Sequence, residues 1–156
     1  MGAKVGEKNF KIKTLDKMFL KNHVNDFISI LEDIEHEYWQ KEHFMIDLPG
    51  KWSYSLVVLD DSKNILGYII ASKKNRNVHI HKFVIEKKLR SLGIGKELLA
   101  DLCNRCIDND IKTVNLKVYK DKIRAIKFYK KCGFRYISTE KGGLLRMSAV
   151  LKNRKI

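Results

Sequence analysis

Proline is nearly absent: Pro49 is the only one among 156 residues. No Gly/Ser-rich stretch takes its place as a linker, so composition marks no domain boundary. Residues 1–156 read as a single domain, long enough to bury its own core. No apolar run reaches the roughly 18 residues that a membrane span needs. The start, MGAKVGEKNF, lacks the apolar stretch of a secretory leader, and Gly6 stands where a myristoylation pattern wants Ser or Thr. No membrane partner is expected, and the expected location is cytoplasmic. Cysteine is scarce too. Cys103, Cys106 and Cys132 supply one CxxC and no second pair to complete a zinc site. They read as buried helix-face thiols in a reducing compartment, and no metal is expected.

Acidic residues are outnumbered, 18 against 32 Lys and Arg, for a net charge of +14. Such an excess suits nucleic acid or a polyphosphate ligand. No aromatic-interleaved basic stripe and no nucleic-acid-binding motif accompanies it, so nucleic acid is not an expected partner. The acids are also unevenly spread. Residues 31–50 carry Glu32, Asp33, Glu35, Glu37, Glu42 and Asp47 against Lys41, which leaves +19 on the rest of the chain.

Periodicity outlines the elements. FKIKTLD alternates as a first strand. Apolar residues recur at helical spacing from Lys17 to Glu37, and a short second helix is expected over Glu37 to Phe44. Pro49-Gly50 is a turn. SYSLVVLD, ILGYIIASK and VHIHKFVIE follow as strands joined by short polar links, which predicts an antiparallel meander. A helix is expected from the GIG turn to Asp108, then strand TVNLKV. Asp121 is placed to cap a helix ending near Gly133, and a final hairpin turns at Gly142-Gly143. The order β-α-α-β-β-β-α-β-α-β-β predicts a mixed α/β sheet, antiparallel first, with a parallel β-α-β crossover.

Gly93 and Gly95 sit where the third meander strand passes into a helix. A helix start offers free N–H groups and partial positive charge, and glycine lets a phosphate come close. Arg90 and Lys96 add charge, so a pyrophosphate fits; a plain loop-to-helix joint fits as well. A P-loop is excluded, because Glu97 follows Lys96 and residue 90 is not glycine. A GxGxxG dinucleotide motif near the start of the chain is absent.

RSLGIG, with Arg90, Gly93 and Gly95, resembles the (Q/R)xxGx(G/A) acetyl-CoA signature of the GNAT superfamily of N-acetyltransferases. AIKFYKKCGF, residues 125–134, resembles its second signature, and the element order is similar over residues 8–151. The resemblance implies acetyl-CoA as co-substrate. Backbone groups of Phe83, Val84 and Ile85 would hold the pantetheine arm. Arg90, Ser91, Leu92, Gly93, Ile94, Gly95 and Lys96 would hold the pyrophosphate. Lys122, Ala125 and Phe128 would line the other side. Lys122 stands where the family often has asparagine, and its head group donates but cannot accept.

Moving an acetyl group to an amine poses two proton problems. An alkylamine with a pKa of about 10.4 must lose a proton before attack, and the leaving thiolate gains from receiving one. By resemblance Tyr129 is the acid; it also fits as a core aromatic. His79 and His81 are candidate bases, placed like a His-x-His pair of the arylalkylamine branch, and alternation puts them on one face with Phe83 and Ile85 unless a bulge intervenes. They also fit as packed strand histidines. Glu86 and Glu37 are alternative bases, and the Ile85 N–H is placed to polarise the thioester carbonyl. No cysteine is placed for a covalent intermediate, so direct attack in a ternary complex is expected. The acidic 31–50 segment, over the acceptor side by resemblance, suits a small cationic amine. A peptide or protein amine, a non-catalytic acyl-CoA-binding role and a homodimer remain open.

Overall fold

The structure is a computed structural model that describes residues 2–5, 8–31 and 38–152. In chain order the strands and helices are β1 Gly2–Val5, β2 Lys8–Thr14, α1 Lys17–Leu31, α2 Lys41–Met45, α3 Lys51–Tyr54, β3 Leu56–Asp60, β4 Ile65–Lys74, β5 Asn77–Ile85, α4 Ile94–Asp108, β6 Thr113–Tyr119, α5 Ile123–Lys131, β7 Arg135–Glu140 and β8 Leu144–Val150. The strands form one sheet in the order β1-β2-β3-β4-β5-β6-β8-β7. Every neighbouring pair is antiparallel except β5 with β6. The expected meander and crossover are therefore both present.

Two elements go beyond the expected order. Strand β1 extends the sheet by one edge, and the single turn α3 occupies part of the stretch expected to begin β3. Gly50, at φ +72°, turns the chain into α3. The fully buried Lys51 then donates its ammonium protons to the carbonyls of Phe44 and Ile46. This ties the turn to the end of α2, and β3 begins at Leu56. Asp16 caps α1 through a 2.7 Å bond from the Phe19 N–H.

Both sheet faces are covered, which is why β3 is apolar without alternation. One apolar cluster lies under α4, with Leu56, Val58, Ile69, Ile80, Leu98 and Val114 among its members. The other lies under α1 and α2, with Leu20, Phe27, Phe44, Val57, Tyr68 and Ile70. The Tyr68 hydroxyl, buried in the second cluster, donates to the Phe27 carbonyl at 2.8 Å.

The feature that places the site is an irregularity in β5. Ile70 pairs with Lys82, but Ala71 pairs with Ile80, so β5 carries one extra residue at His81. The bulge inverts the alternation. Val78 and Ile80 face α4 before it, and Phe83 and Ile85 face α4 after it, while Val84 packs beneath α1. The expectation that His79, His81, Phe83 and Ile85 share a face is thereby corrected. The parallel pairing of β5 with β6 covers only Asn77–Ile80 against residues 113–116. Beyond it the two strands run on unpaired and open a gap in the sheet.

Candidate active site

The gap is bounded on one side by the end of β5. Glu86 N–H donates to the Leu66 carbonyl at 2.8 Å, on the β4 side. By alternation the backbone of Val84 also turns to β4, and the N–H and C=O groups of Phe83 and Ile85 turn toward the gap. Arg90 confirms this direction, since its Nε donates to the Ile85 carbonyl at 2.9 Å. Opposite β5 at this end, Gly67 lies so close that a Cβ there would sit 2.6 Å from the Val84 carbonyl oxygen.

Beyond Ile85 a short 3₁₀ turn, Lys87–Leu89, is closed by the Glu86 carboxylate accepting from the Lys88 N–H. The chain then passes through Ser91 at φ +71° and Gly93 at φ +92° into α4. A non-glycine residue at positive φ is uncommon and carries strain. Gly93 is the N-cap and has no side chain to bond the first turn. The first intrahelical bond is Glu97 N–H to the Gly93 carbonyl at 3.1 Å. The N–H groups of Ile94, Gly95 and Lys96 are thus left for a ligand, at the positive end of a 15-residue helix. An added Cβ at Gly95 would meet Ile85, Phe83 and Phe128 at 3.6–3.7 Å, ordinary contact distances. Gly95 therefore sits at the floor where strand, loop and α5 converge.

Helix α5 forms the opposite wall. Its N-cap is Lys122, without a side-chain capping bond, which corrects the expectation that Asp121 caps it. The Asp121 carbonyl accepts from Ile123 N–H instead, at 3.0 Å. Phe83, Phe128, Tyr129 and Phe134 form an aromatic row with ring centroids 5.6–6.1 Å apart. Burial pushes the Tyr129 phenol above its ordinary value, so it is protonated at neutral pH. Between the walls lies a cavity of about 740 Å³. It is lined by Phe83, Ile85, Arg90, Ser91, Gly93, Gly95, Lys96, Lys122, Ala125, Phe128 and Tyr129, all predicted from the sequence. Asp121, Ile123 and Arg124 also line it; they lie within the helix from Asp121 to Lys131 that the resemblance set on this side, though they were not singled out.

Three predicted residues have side chains outside the lining. Val84 and Ile94 are buried in the two cores, and Leu92 is exposed and outside the lining. The histidines are on the α1 side of the sheet. Their rings are 4.7 Å apart, and His81 Nε2 lies 2.7 Å from Ser72 Oγ. Burial, His79 and Lys51 push His81 down to about 4. Burial, Lys117 and Arg146 also lower His79. Both rings are neutral at pH 7. Lys82, next in the chain, lies over the Trp39 ring at 5.1 Å, and burial brings its ammonium down to about 8. Tyr129 and the histidines thus flank the sheet from opposite sides, with the unpaired gap between β5 and β6 linking the two. Glu37 falls outside the described residues.

The thiols carry no nucleophile. All three are free, and burial raises Cys103 to about 11 and Cys106 to about 12. Among the described residues no cluster of three or more His, Cys, Asp or Glu could hold a metal. No helix there is long and apolar enough to cross a membrane.

The fold has counterparts in known proteins. A family model described as acetyltransferase (GNAT) domain matches residues 20–143. An uncharacterised N-acetyltransferase, MJ1530 of Methanocaldococcus jannaschii, is 27% identical over 122 residues, covering 76% of this chain and 78% of that one. The ribosomal-protein-S18-alanine N-acetyltransferase of Escherichia coli has a similar fold, with a TM-score of 0.77 at 15% identity, over 91% of this chain and 94% of its own. So does the PaiA N-acetyltransferase of Thermoplasma acidophilum, determined with coenzyme A, at a TM-score of 0.67 and 16% identity, over 90% and 98%. With the family model spanning most of its length, this chain belongs to the GNAT acetyltransferases, and it is a transferase enzyme.

Proposed function

We propose that the protein transfers an acetyl group from acetyl-CoA to a primary amine by direct attack in a ternary complex. The observation that carries this reading is the 740 Å³ cavity with the unbonded first turn of α4 on one wall and Tyr129 on the other. The chemistry of the donor fits the lining. Three N–H groups, Arg90 and Lys96 suit a pyrophosphate. The edge of β5, with the N–H and C=O of Phe83 and Ile85 turned to the gap, suits an amide-bearing arm. The aromatic floor suits its carbon chain. The thioester supplies the activated acyl group. The binding of coenzyme A by the T. acidophilum neighbour supports the same donor.

Tyr129 is the acid in this reading. Its raised pKa keeps the proton in place until a thiolate develops nearby. His79 and His81 are the bases of choice on the acceptor side, neutral and therefore able to accept. Their lowered pKa values make them weak bases toward an ammonium, so their part is to relay the proton of an amine to solvent and not to hold it. The N–H of Ile85 is placed to polarise the reacting carbonyl. A peptide amine is an equally open acceptor, given that the E. coli neighbour's name specifies an alanine of a ribosomal protein. The expectation of a cationic acceptor rested on the acidic segment. Glu32, Asp33, Glu35 and Glu37 lie outside the described residues, and Asp47 is held by Lys17 at 2.8 Å and Trp52 at 3.1 Å.

The test is calorimetric titration with acetyl-CoA, followed by thiol detection with a panel of amines. Binding and amine-dependent thiol release are expected. Failure to bind any acyl-CoA overturns the proposal.

A further inference from the structure

The apolar cluster beneath α1 and α2 draws its strand residues from β3, β4 and β5 only. On the same side, β6, β8 and β7 present charge. Lys117 and Arg146 are direct cross-strand partners, a like-charge pairing that is ordinarily unfavourable. Glu140 makes it tolerable. Its two oxygens lie 3.0 Å from Lys117 Nζ and 3.6 Å from Arg146 Nε. Two cations sharing one carboxylate leave a surplus of one positive charge, with all three side chains more than a third exposed.

The position of this surplus is specific. Leu116 is the last β6 residue paired with β5, so Lys117 stands where the gap opens. Its side of the sheet is that of Asn115, the register partner of His79. Burial lowers the His79 imidazole first, Lys117 and Arg146 lower it further and Glu140 opposes them, so the triad's charges lie within reach of His79. Hydrogen bonds from Asn115 Nδ2 to Thr113 Oγ1 (3.2 Å) and from Thr113 Oγ1 to Asn77 Oδ1 (2.5 Å) tie β6 to β5 beside it.

We propose that the acceptor is a primary amine that also carries a carboxylate, and that Lys117 and Arg146 select it by receiving that carboxylate while the amine faces the histidines. A guanidinium and an ammonium side by side match a planar carboxylate, and a charge-assisted bond of this kind is worth roughly tenfold or more in selectivity. Glu140 competes for the same two cations. The carboxylate can belong to a free amino acid or to an acidic residue near a peptide N-terminus. The inference rests on the acetyltransferase reading and narrows its acceptor.

The test is thiol release by the full chain with saturating acetyl-CoA. The acceptors are a free amino acid against its amide, and N-terminal Ala-Glu, Ala-Gln and Ala-Lys peptides. The carboxylate-bearing member is expected to show about tenfold higher kcat/KM in at least one series, and the series that shows it identifies the source. The Lys117→Gln/Arg146→Gln double variant is expected to bring the two members of each pair near parity, read as the ratio of their kcat/KM values so that any common change through His79 cancels. Glu140→Gln is expected to widen the preference, which a merely structural role for the triad does not do. Equal rates, a preference for the Ala-Lys peptide, or a preference unchanged in the double variant overturns the inference. Acetyl-CoA binding without turnover of any acceptor does so as well. Absence of acetyl-CoA binding overturns the acetyltransferase reading itself.

Discussion

Replacing Tyr129 by phenylalanine removes one oxygen and nothing else. The ring keeps its neighbours, with centroids of Phe83, Phe128 and Phe134 at 6.1, 5.6 and 5.6 Å. No described residue hydrogen-bonds to the hydroxyl, so its loss leaves no orphaned partner. The change in stability is expected to stay within about 0.5 kcal/mol. The loss of a general acid is worth about 10²–10⁴ in rate, or about 2.7–5.4 kcal/mol of barrier. Because burial lifts the phenol above its reference value of 10.0, the acid form does not titrate away between pH 7 and 9. The wild-type rate should hold up through that range. The assay pairs steady-state thiol release with direct titration of acetyl-CoA. The reasoning predicts a fall in kcat of at least about 100-fold, with Kd for acetyl-CoA changed by less than about threefold. A kcat within threefold of wild type would refute it. So would a loss of affinity and melting temperature in step with the loss of rate, because Tyr129 would then be holding the wall rather than the proton.

Other perturbations read the scaffold. Gly67→Ala drives a Cβ to 2.6 Å from the Val84 carbonyl, so β4 and β5 must separate; a loss of about 2–3 kcal/mol by urea denaturation, with weakened acetyl-CoA binding, is expected. Gly93→Ala meets no atom but must hold φ at +92°, at a cost of about 1–2 kcal/mol, whereas Gly95→Ala fits its surroundings and should be tolerated in the same measurement. Lys51→Met leaves the Phe44 and Ile46 carbonyls without their donor; a loss of about 2–4 kcal/mol is expected, recovered by Lys51→Arg only where the longer head group fits. His81 has a folded pKa of about 4 against 6.5 unfolded, so the unfolded chain takes up the proton first as pH falls. Its contribution to stability is complete above pH 6.5 and is lost as pH falls toward 4, by about 1 kcal/mol after allowing for solvent screening. His81→Gln should flatten that part of a pH–stability curve. A histidine-dependent rate limb, for the same reason, should lie well below pH 6.5.

Most residues lining the 740 Å³ cavity were legible in the sequence because they fall in short contiguous stretches. Arg90 to Lys96 form one loop and one helix start, and Lys122 to Tyr129 lie on one helix, so two short contiguous motifs that resemble a family's signatures were enough to point to them. The histidine side of the sheet was not legible in this way. Its members come from β4, β5, β6, β7 and β8, and nothing in the order of the chain says that Lys117, Glu140 and Arg146 meet. Lys51 and Lys82 read as ordinary surface lysines, yet the first is fully buried and the second nearly so, at 0% and 9% exposure. The turn α3 was hidden for a similar reason, since its cause is a contact between Lys51 and carbonyls on α2.

Apolar periodicity and the glycine turns were enough to determine most of the order of elements, all but β1 and α3, and RSLGIG with AIKFYKKCGF carried the family resemblance. These depend on local backbone preferences and on which side of each helix or strand is greasy, and both are written residue by residue. The tertiary structure alone decided which face the histidines occupy. HIHKFVI alternates perfectly on paper, but one extra residue at His81 shifts the pleat, and every side chain after it changes sides. Such a bulge depends on how β5 must bend to pair with β4 on one edge and part from β6 on the other, a constraint that no single strand carries in its own sequence.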